Sequence, residues 1–295
     1  MNAAGRVSIV GAGPGDPELI TIRGIARVRC ADVLVYDRLV DPALVAEAPP
    51  EAERVFAGKA RGYAALEQRE IEALLIARAF AGKHVVRLKG GDPYLFGRGG
   101  EEAAALVAAG IPVEVVPGVS SALAAPAGAG IPVTHRELSS SLTIVTGHED
   151  PTKPESAVDW DWLAASNGTL VILMGLSQLP RIRDRLLAGG RAPETPAAVI
   201  ANGTRRDQRV VTASLADLPD AVAAAQLIAP ALVVVGDVVR YRELLAPSAW
   251  HGTPVTAAVR DDSLLEPRPA VLARVGPFST HPEYAHVNIP GDRHG

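Results

Sequence analysis

Short runs of β-branched residues alternate with helical patterns over the first part of this 295-residue chain, and this alternation limits the fold more than any other feature. Strands are predicted at residues 7–10, 33–36, 84–88 and 113–116, and helices at residues 21–30, 68–80 and 101–109. A strand followed by a helix and another strand builds a βαβ unit, so these strands form a mostly parallel sheet. The predicted fold class is therefore α/β.

A second α/β segment follows residues 116–134, a stretch rich in Gly, Pro, Ala and Ser that is typical of a connection between domains opening into an apolar helix. Further strands are predicted at residues 142–146, 169–174, 197–201, 208–213 and 231–236, with a helix at residues 179–187. With the boundary placed near Pro117, we predict an N-terminal α/β domain, 1–117, and a C-terminal α/β domain, 118–245.

Residues 246–295 form the third predicted region, an irregular C-terminal tail. Prolines are frequent there, and neither helical nor strand periodicity is sustained. Such a segment cannot bury enough apolar area to offset its ordering entropy unless it docks on a preformed surface, for which Trp250, Phe278 and Tyr284 are the available aromatic anchors. The tail is therefore predicted to be dispensable for the activity of the two domains.

Composition and charge exclude several classes of protein. Apolar residues make up 48% of the chain, and the net charge is only −4, so no overall field draws it to nucleic acid or to an anionic membrane. No apolar run reaches the roughly 18 residues that span a bilayer, and the N-terminus lacks a signal-peptide pattern. The one cysteine, Cys30, favours a reducing compartment. We predict a cytoplasmic protein with no nucleic-acid or membrane partner.

The glycine-rich turn after the first strand suggests a dinucleotide site, but its details argue against one. The turn contains Gly11, Gly13 and Gly15, yet Asp16 stands where the dinucleotide fingerprint has its third glycine. Pro14 removes one backbone donor from the loop, and a carboxylate at its mouth would repel a diphosphate. The same carboxylate is compatible with a cationic ligand such as a sulfonium.

Further motifs resemble the uroporphyrinogen-III methyltransferase family, and the resemblance covers about residues 7–245. It rests on the turn at 11–16 together with the segments YDRLV at 36–40, VVRLKGGDPYLFGRGGEE at 85–102, PG at 117–118, GIPVTHR at 130–136 and VTGH at 145–148. This resemblance implies two α/β domains with a ligand cleft between them. It also implies a homodimer that methylates uroporphyrinogen III twice, giving precorrin-2, with S-adenosylmethionine as methyl donor and no metal.

The resemblance also implies which residues bind S-adenosylmethionine. Among them, Gly90, Gly91 and Asp92 end a predicted buried strand, at the edge where open α/β sheets place their ligands. The glycines allow a close approach of the backbone to a ligand, and Asp92 can accept hydrogen bonds. The complete set is Pro14, Gly90, Gly91, Asp92, Leu95, Ser120, Ser121, Met174, Gly203 and Ala231.

A tetrapyrrole with many carboxylates requires arginine side chains that can hold carboxylates with two hydrogen bonds. Within the family motifs, the residues implied as substrate anchors are Arg38, Arg61, Arg98, Glu101 and Arg136. Each of these arginines taken alone is more typical of a solvated surface charge, and only the set of them favours a substrate site.

For proton transfer, the resemblance implies Asp37 as acceptor and Lys59 as donor. Arg98 is a competing candidate for the proton-handling role, but an arginine base is costly because its pKa stays above about 12, so we favour Arg98 as an anchor.

Two alternatives stay open from the sequence. The first is a methyltransferase acting later in cobalamin assembly or on another acceptor, which the YDRLV and GRGGEE motifs disfavour. The second is a non-catalytic protein that keeps the S-adenosylmethionine cleft. The sequence also leaves open whether the product feeds sirohaem, cobalamin or haem d1.

Overall fold

A computed structural model describes residues 5–58, 67–148, 151 and 157–245. The predicted tail at residues 246–295 and two predicted site residues, Lys59 and Arg61, lie outside the described residues. Both sheets of the described part belong to one compact unit. No helix in the described ranges is long and apolar enough to cross a bilayer.

The first sheet contains only parallel strand pairs, in the order β3-β2-β4-β1-β5. Its strands are β1 Arg6–Gly11, β2 Val33–Tyr36, β3 Glu53–Phe56, β4 His84–Lys89 and β5 Val113–Val116. The helices of this half are α1 Ile22–Val28, α2 Pro42–Ala46, α3 Gln68–Phe80 and α4 Gly99–Ala108. The predicted parallel α/β arrangement is confirmed.

Alternating side chains of the first sheet enter two separate apolar clusters, one on each face, as the period of two in a strand requires. In β1, Val10 belongs to a cluster with Leu34, whereas Ile9 belongs to the other with Val35. Helices cover both faces, so every residue of the central strand β4 is buried. This burial explains why these strands appear in the sequence as apolar runs.

The second sheet is mixed, in the order β6-β7-β10-β8-β9. Only the β6–β7 pair is parallel, and the other three pairs are antiparallel. Its strands are β6 Leu142–Thr146, β7 Thr169–Leu173, β8 Pro196–Ala201, β9 Arg209–Ser214 and β10 Ala231–Val235. The helices are α5 Ser121–Gly128, α6 Trp160–Ala165, α7 Leu179–Ala188, α8 Leu218–Ala224 and α9 Tyr241–Leu245.

Most predicted element boundaries differ from the structure by one or two residues, and local chemistry explains the differences. Thr21 precedes α1 because its side chain accepts the Gly24 N–H at 3.0 Å, which makes it the N-cap. The strand predicted at 169–174 ends at Leu173 because Met174 adopts φ 58°. The pattern missed β3, α2, α6, α8 and α9. The edge strand β3 is half exposed and begins with charged residues, so it lacks an apolar run.

Helix α5 begins directly after the predicted domain boundary and packs against the second sheet. Ser120 caps it by accepting the Ala122 N–H at 3.2 Å. Its buried residues Ala122 and Ala125 share an apolar cluster with Val171 and Ile200 of the second sheet. The boundary near Pro117 remains a prediction, and the connection there brings α5 to the carboxyl edge of the first sheet.

Candidate active site

The turns that follow β1 and β4 contact each other at the carboxyl edge of the first sheet. Gly91 N–H donates to the Gly13 carbonyl at 2.7 Å, and Gly13 N–H donates to the Gly91 carbonyl at 3.3 Å. Both residues have positive φ, 82° at Gly13 and 69° at Gly91, a region that glycine adopts at little cost. The two turns are therefore held together at the edge where open α/β sheets bind ligands.

Asp92 connects this edge to the chain that leads into the second sheet. Its Oδ1 accepts the Tyr94 N–H at 2.8 Å, and its Oδ2 accepts the Gly118 N–H at 3.0 Å. The approach is so close that a Cβ on Gly118 would lie 2.2 Å from the Gly91 carbonyl oxygen. Because each carboxylate oxygen accepts a backbone N–H group, Asp92 fixes the backbone that forms this wall of the site.

One cavity lies beside these turns and is closed on its other side by α5 and by the ends of β7, β8 and β10. It encloses about 880 Å³ when the open solvent at its mouth is included. Its wall contains every residue that the resemblance implies for S-adenosylmethionine. These are Pro14, Gly90, Gly91, Asp92, Leu95, Ser120, Ser121, Met174, Gly203 and Ala231.

Ten further described residues line the same cavity, and sequence reasoning missed them. The motif at 36–40 contains one of them, Leu39, and the motif at 85–102 contains Phe96, so both could have been found. Gly13 lies in the motif at 11–16 and could also have been found. The rest come from α5, strand ends and turns, where nothing in the sequence distinguishes a lining residue from a core residue. They are Ala125, Leu173, Ile200, Asn202, Arg205, Pro230 and Leu232.

Three of the lining residues that are not glycine have left-handed backbone conformations. The φ angles are 52° at Phe96, 58° at Met174 and 51° at Asn202. Each such conformation costs on the order of 1–3 kcal/mol and persists only where the surrounding structure holds it. Strain is thus concentrated around this cavity, as is common at functional sites.

Asp37, the predicted proton acceptor, follows β2 and pairs with a buried arginine of the neighbouring strand. Arg87 Nη2 donates to Asp37 Oδ1 at 2.5 Å, and the Arg87 side chain is only 2% exposed. The Asp37 side chain retains 30% of its exposure, and its Oδ2 has no hydrogen-bond partner among the described residues. The structure therefore orients Asp37 with one oxygen held and one oxygen open.

Behind this pair, Glu102 accepts hydrogen bonds from two buried cations. Its Oε1 accepts from Lys89 Nζ at 2.7 Å and from Arg87 Nε at 3.3 Å, and Gln68 Nε2 donates to the same oxygen at 3.3 Å. Burial lowers the pKa of the Lys89 ammonium, and the nearby Arg87 charge lowers it further. Sequence reasoning missed this cluster, because an arginine and a lysine in a strand suggest an exposed face.

Two of the predicted substrate anchors pair with each other outside the cavity wall. Arg98 Nη2 donates to Glu101 Oε2 at 2.6 Å, and the two side chains are 56% and 55% exposed. The hydrogen bond to Glu101 raises the pKa of Arg98 and lowers that of Glu101. Arg38 is also exposed and adjoins Leu39, which does line the cavity. None of these three side chains forms part of the cavity wall.

The structure does not bring Arg136 to this cavity. It lines a separate surface pocket with serines 139–141 and residues 166–168. The predicted anchor Arg61 and the predicted proton donor Lys59 lie outside the described residues. Within the described ranges, no group of three or more His, Cys, Asp or Glu side chains is placed to hold a metal ion.

Comparison with known proteins identifies the family. The profile described as Tetrapyrrole (Corrin/Porphyrin) Methylases matches residues 6–219. This chain belongs to the tetrapyrrole methylases. The family resemblance predicted from the motifs is confirmed, and so is the predicted α/β fold, because solved tetrapyrrole methylases share it.

Similar proteins include both free-standing and longer tetrapyrrole methylases. The S-adenosyl-L-methionine-dependent uroporphyrinogen III methyltransferase of Methanosarcina barkeri is 52% identical over 82% of this chain and 94% of its own length. The siroheme synthase of Pseudomonas putida strain W619 is 51% identical over 83% of this chain, which spans only 53% of that protein. The uroporphyrin-III C-methyltransferase of Thermus thermophilus, solved with S-adenyl homocysteine, has a TM-score of 0.68 and 41% identity, covering 80% of this chain and 94% of its own.

Proposed function

We propose that this tetrapyrrole methylase is a uroporphyrinogen-III C-methyltransferase that forms precorrin-2 by two successive methylations with S-adenosylmethionine. The observation that carries the proposal is the convergence of ten residues, distant in sequence, on the wall of one cavity. Similarity to a methyltransferase named for this donor and substrate, at 52% identity, supports the same reaction.

The lining of the cavity suits S-adenosylmethionine. A Cβ added at Gly91 would meet no atom within 4 Å, so the backbone there faces open space that a ligand can fill. Leu173, Met174 and Ile200 supply apolar surface for an adenosyl and thioether group. When bound, S-adenosylmethionine supplies an electrophilic methyl group on its sulfonium.

The chain's own residues then orient the macrocycle and handle its proton. A carbon–carbon bond forms between a pyrrole carbon and the methyl group, the carbon–sulfur bond breaks, and the macrocycle loses one proton. Asp37 accepts that proton through its open Oδ2, while Arg87 holds Oδ1 and with it the orientation of the carboxylate. Lys59 is the proposed donor, by resemblance. Most of the rate comes from orienting the reacting atoms in a site with little water.

Arg38, Arg61, Arg98, Glu101 and Arg136 are proposed as substrate anchors. In support, Arg98 and Glu101 are exposed, so they can exchange their mutual ion pair for contacts with a large anionic substrate. The position of Arg136 beside a different pocket makes its contribution the least direct of the described anchors.

We further propose a cytoplasmic homodimer with no nucleic-acid or membrane partner. Exposed apolar side chains such as Val107, Leu123 and Trp162 provide surface that a second copy can bury. The net charge of −4 supports the absence of a nucleic-acid partner. A dimer mass by light scattering at micromolar concentration is the expected result, and a monomer mass would contradict it.

The decisive test is anaerobic incubation with uroporphyrinogen III and methyl-labelled S-adenosylmethionine. We expect two labelled methyl groups per macrocycle.

Asp37→Asn, which keeps the shape but not the charge, should lower kcat by about 10²–10⁴-fold while leaving affinity for S-adenosylhomocysteine unchanged. The matched control is Asp220→Asn, an exposed position on α8, which should behave as the parent chain. Tight donor binding without transfer would indicate a binding protein, and methylation of a later corrin intermediate alone would indicate another methylase.

A further inference from the structure

The cavity wall holds two charged side chains among its described residues, Asp92 and Arg205. Asp92 is already engaged, because each of its carboxylate oxygens accepts a backbone N–H. The Arg205 guanidinium donates to the Leu39 carbonyl at 2.9 Å through Nη2, and no carboxylate of the described chain lies within ion-pair distance of it. Arg205 is thus a cation at the cavity whose other N–H donors are unpaired in the described part.

Several hydrogen bonds hold the turn that carries Arg205. Arg205 N–H donates to the Asn202 carbonyl at 3.0 Å, and the Gln208 side chain both accepts the Thr204 N–H at 2.7 Å and donates to the Gly128 carbonyl at 3.0 Å. Asn202 and Thr204 adopt φ of 51° and 69°, conformations that must be held by their surroundings. The turn is therefore anchored to the end of α5 before any ligand arrives.

The guanidinium also lies against the turn that follows β1. A Cβ on Gly15 would come within 2.9 Å of Arg205 Cγ and 3.0 Å of Arg205 Nε, so a side chain at position 15 would displace that of Arg205. The Asp16 N–H donates to Thr204 Oγ1 at 3.1 Å, which joins the two turns. Through Leu39, Arg205 also contacts the segment that contains Asp37. The Arg205 side chain thus contacts two segments of the first half of the described chain, the turn at Gly15 and Leu39.

We propose that Arg205 is a carboxylate-binding residue of this cavity. The Arg205 guanidinium, which donates to the Leu39 carbonyl, presents paired N–H donors that match a carboxylate. This deepens the proposed function, because both reactants carry carboxylates: the methionyl end of S-adenosylmethionine and the side chains of the tetrapyrrole. Both sources offer the same carboxylate chemistry, and binding and kinetic measurements distinguish them.

The test compares Arg205→Gln with the control Arg206→Gln, which removes the same charge from the exposed neighbouring residue. Calorimetry measures the affinity for S-adenosylhomocysteine and for 5′-methylthioadenosine, which lacks the carboxylate. If the donor supplies the carboxylate, Arg205→Gln weakens S-adenosylhomocysteine about ten- to hundredfold and leaves 5′-methylthioadenosine unchanged. If the tetrapyrrole supplies it, both affinities hold and KM for uroporphyrinogen III rises by a similar factor. Arg205→Lys, which keeps charge but not the planar fork, should recover part of either loss.

Equal affinities and equal KM in Arg205→Gln and Arg206→Gln would overturn the assignment. Unfolding midpoints of both variants are measured alongside, and a loss of both nucleoside affinities with a lowered midpoint would assign Arg205 to the turn's structure instead. Failure of the proposed function can be told apart from failure of this assignment. If the unsubstituted chain binds S-adenosylhomocysteine but methylates no tetrapyrrole, the proposed reaction is refuted, yet the effect of Arg205→Gln on S-adenosylhomocysteine affinity can still be measured.

Discussion

The N-terminal sheet carries buried charges near its carboxyl edge, whereas the C-terminal sheet buries almost only apolar side chains. Arg87 and Lys89 of β4 both pair with Glu102 on α4, and Arg87 also pairs with Asp37 after β2. In the second sheet, residues such as Leu170 and Ile172 pack into an apolar cluster against α6 and α7. Among the described residues, ion pairs between fully buried side chains occur only between α4 and β4 of the first sheet.

This difference assigns different tasks to the two sheets: the first positions polar and charged groups, and the second supplies apolar packing. Parallel strands end together at one edge, so polar residues at their ends converge on one place. The buried charges support that edge, since Arg87 orients the Asp37 carboxylate. The second sheet contributes small and apolar residues to the cavity wall, such as Leu173 and Ala231, and has no comparable need for buried charge. The two sheets should therefore respond differently to substitution and to pH.

The largest expected effect is at Glu102. Glu102→Ala leaves the buried Arg87 and Lys89 charges without their shared partner, which should lower the unfolding free energy by about 3–5 kcal/mol. Denaturant unfolding measures this loss. The matched control is Glu101→Ala, the exposed neighbour, which should leave the unfolding midpoint unchanged. Equal stability of the two variants would show that the buried cluster does not distinguish the first sheet. Replacing both members of the close pair, as in Lys89→Met with Glu102→Leu, should recover part of the loss.

The second expected effect is a pH dependence confined to the first sheet. His84 is buried at the start of β4, and burial lowers the pKa of its imidazole. The unfolded chain, with an ordinary imidazole pKa of about 6.5, binds more protons between the two values. Stability should therefore fall as pH drops below about 6.5, with a slope of at most about 1.4 kcal/mol per pH unit. In His84→Asn this component should disappear from a pH series of denaturant unfolding. An unchanged slope would assign the dependence to other groups.

The smallest expected effect is a core truncation in the second sheet. Ile172→Val removes one buried methylene-sized group and should cost about 1 kcal/mol of unfolding free energy. Because no titratable side chain belongs to its apolar cluster, this cost should be the same at pH 6 and at pH 8. Denaturant unfolding at both pH values tests the point. A cost that changes with pH would mean that the stability of the second sheet is coupled to titratable groups, as that of the first sheet is.

Several features of the candidate site could be predicted because they depend on local sequence. Gly91 and Asp92 follow an apolar run, so their place at the carboxyl edge of a strand follows from the pattern alone. The resemblance added residues such as Met174 and Gly203, which no local pattern would have selected. Their roles in binding remain predictions, although the structure places them together in one cavity.

The sequence by itself determined the α/β class, the parallel arrangement of the first sheet and the family, because these depend on periodicity and on contiguous motifs. Only the tertiary structure decided that Arg87 and Lys89 are buried beside Glu102, and that Arg205 reaches the turn at Gly15. Burial, pairing and convergence depend on which chain segments the fold brings together. A charged residue looks the same in a sequence whether its partner is water or a side chain 15 positions away.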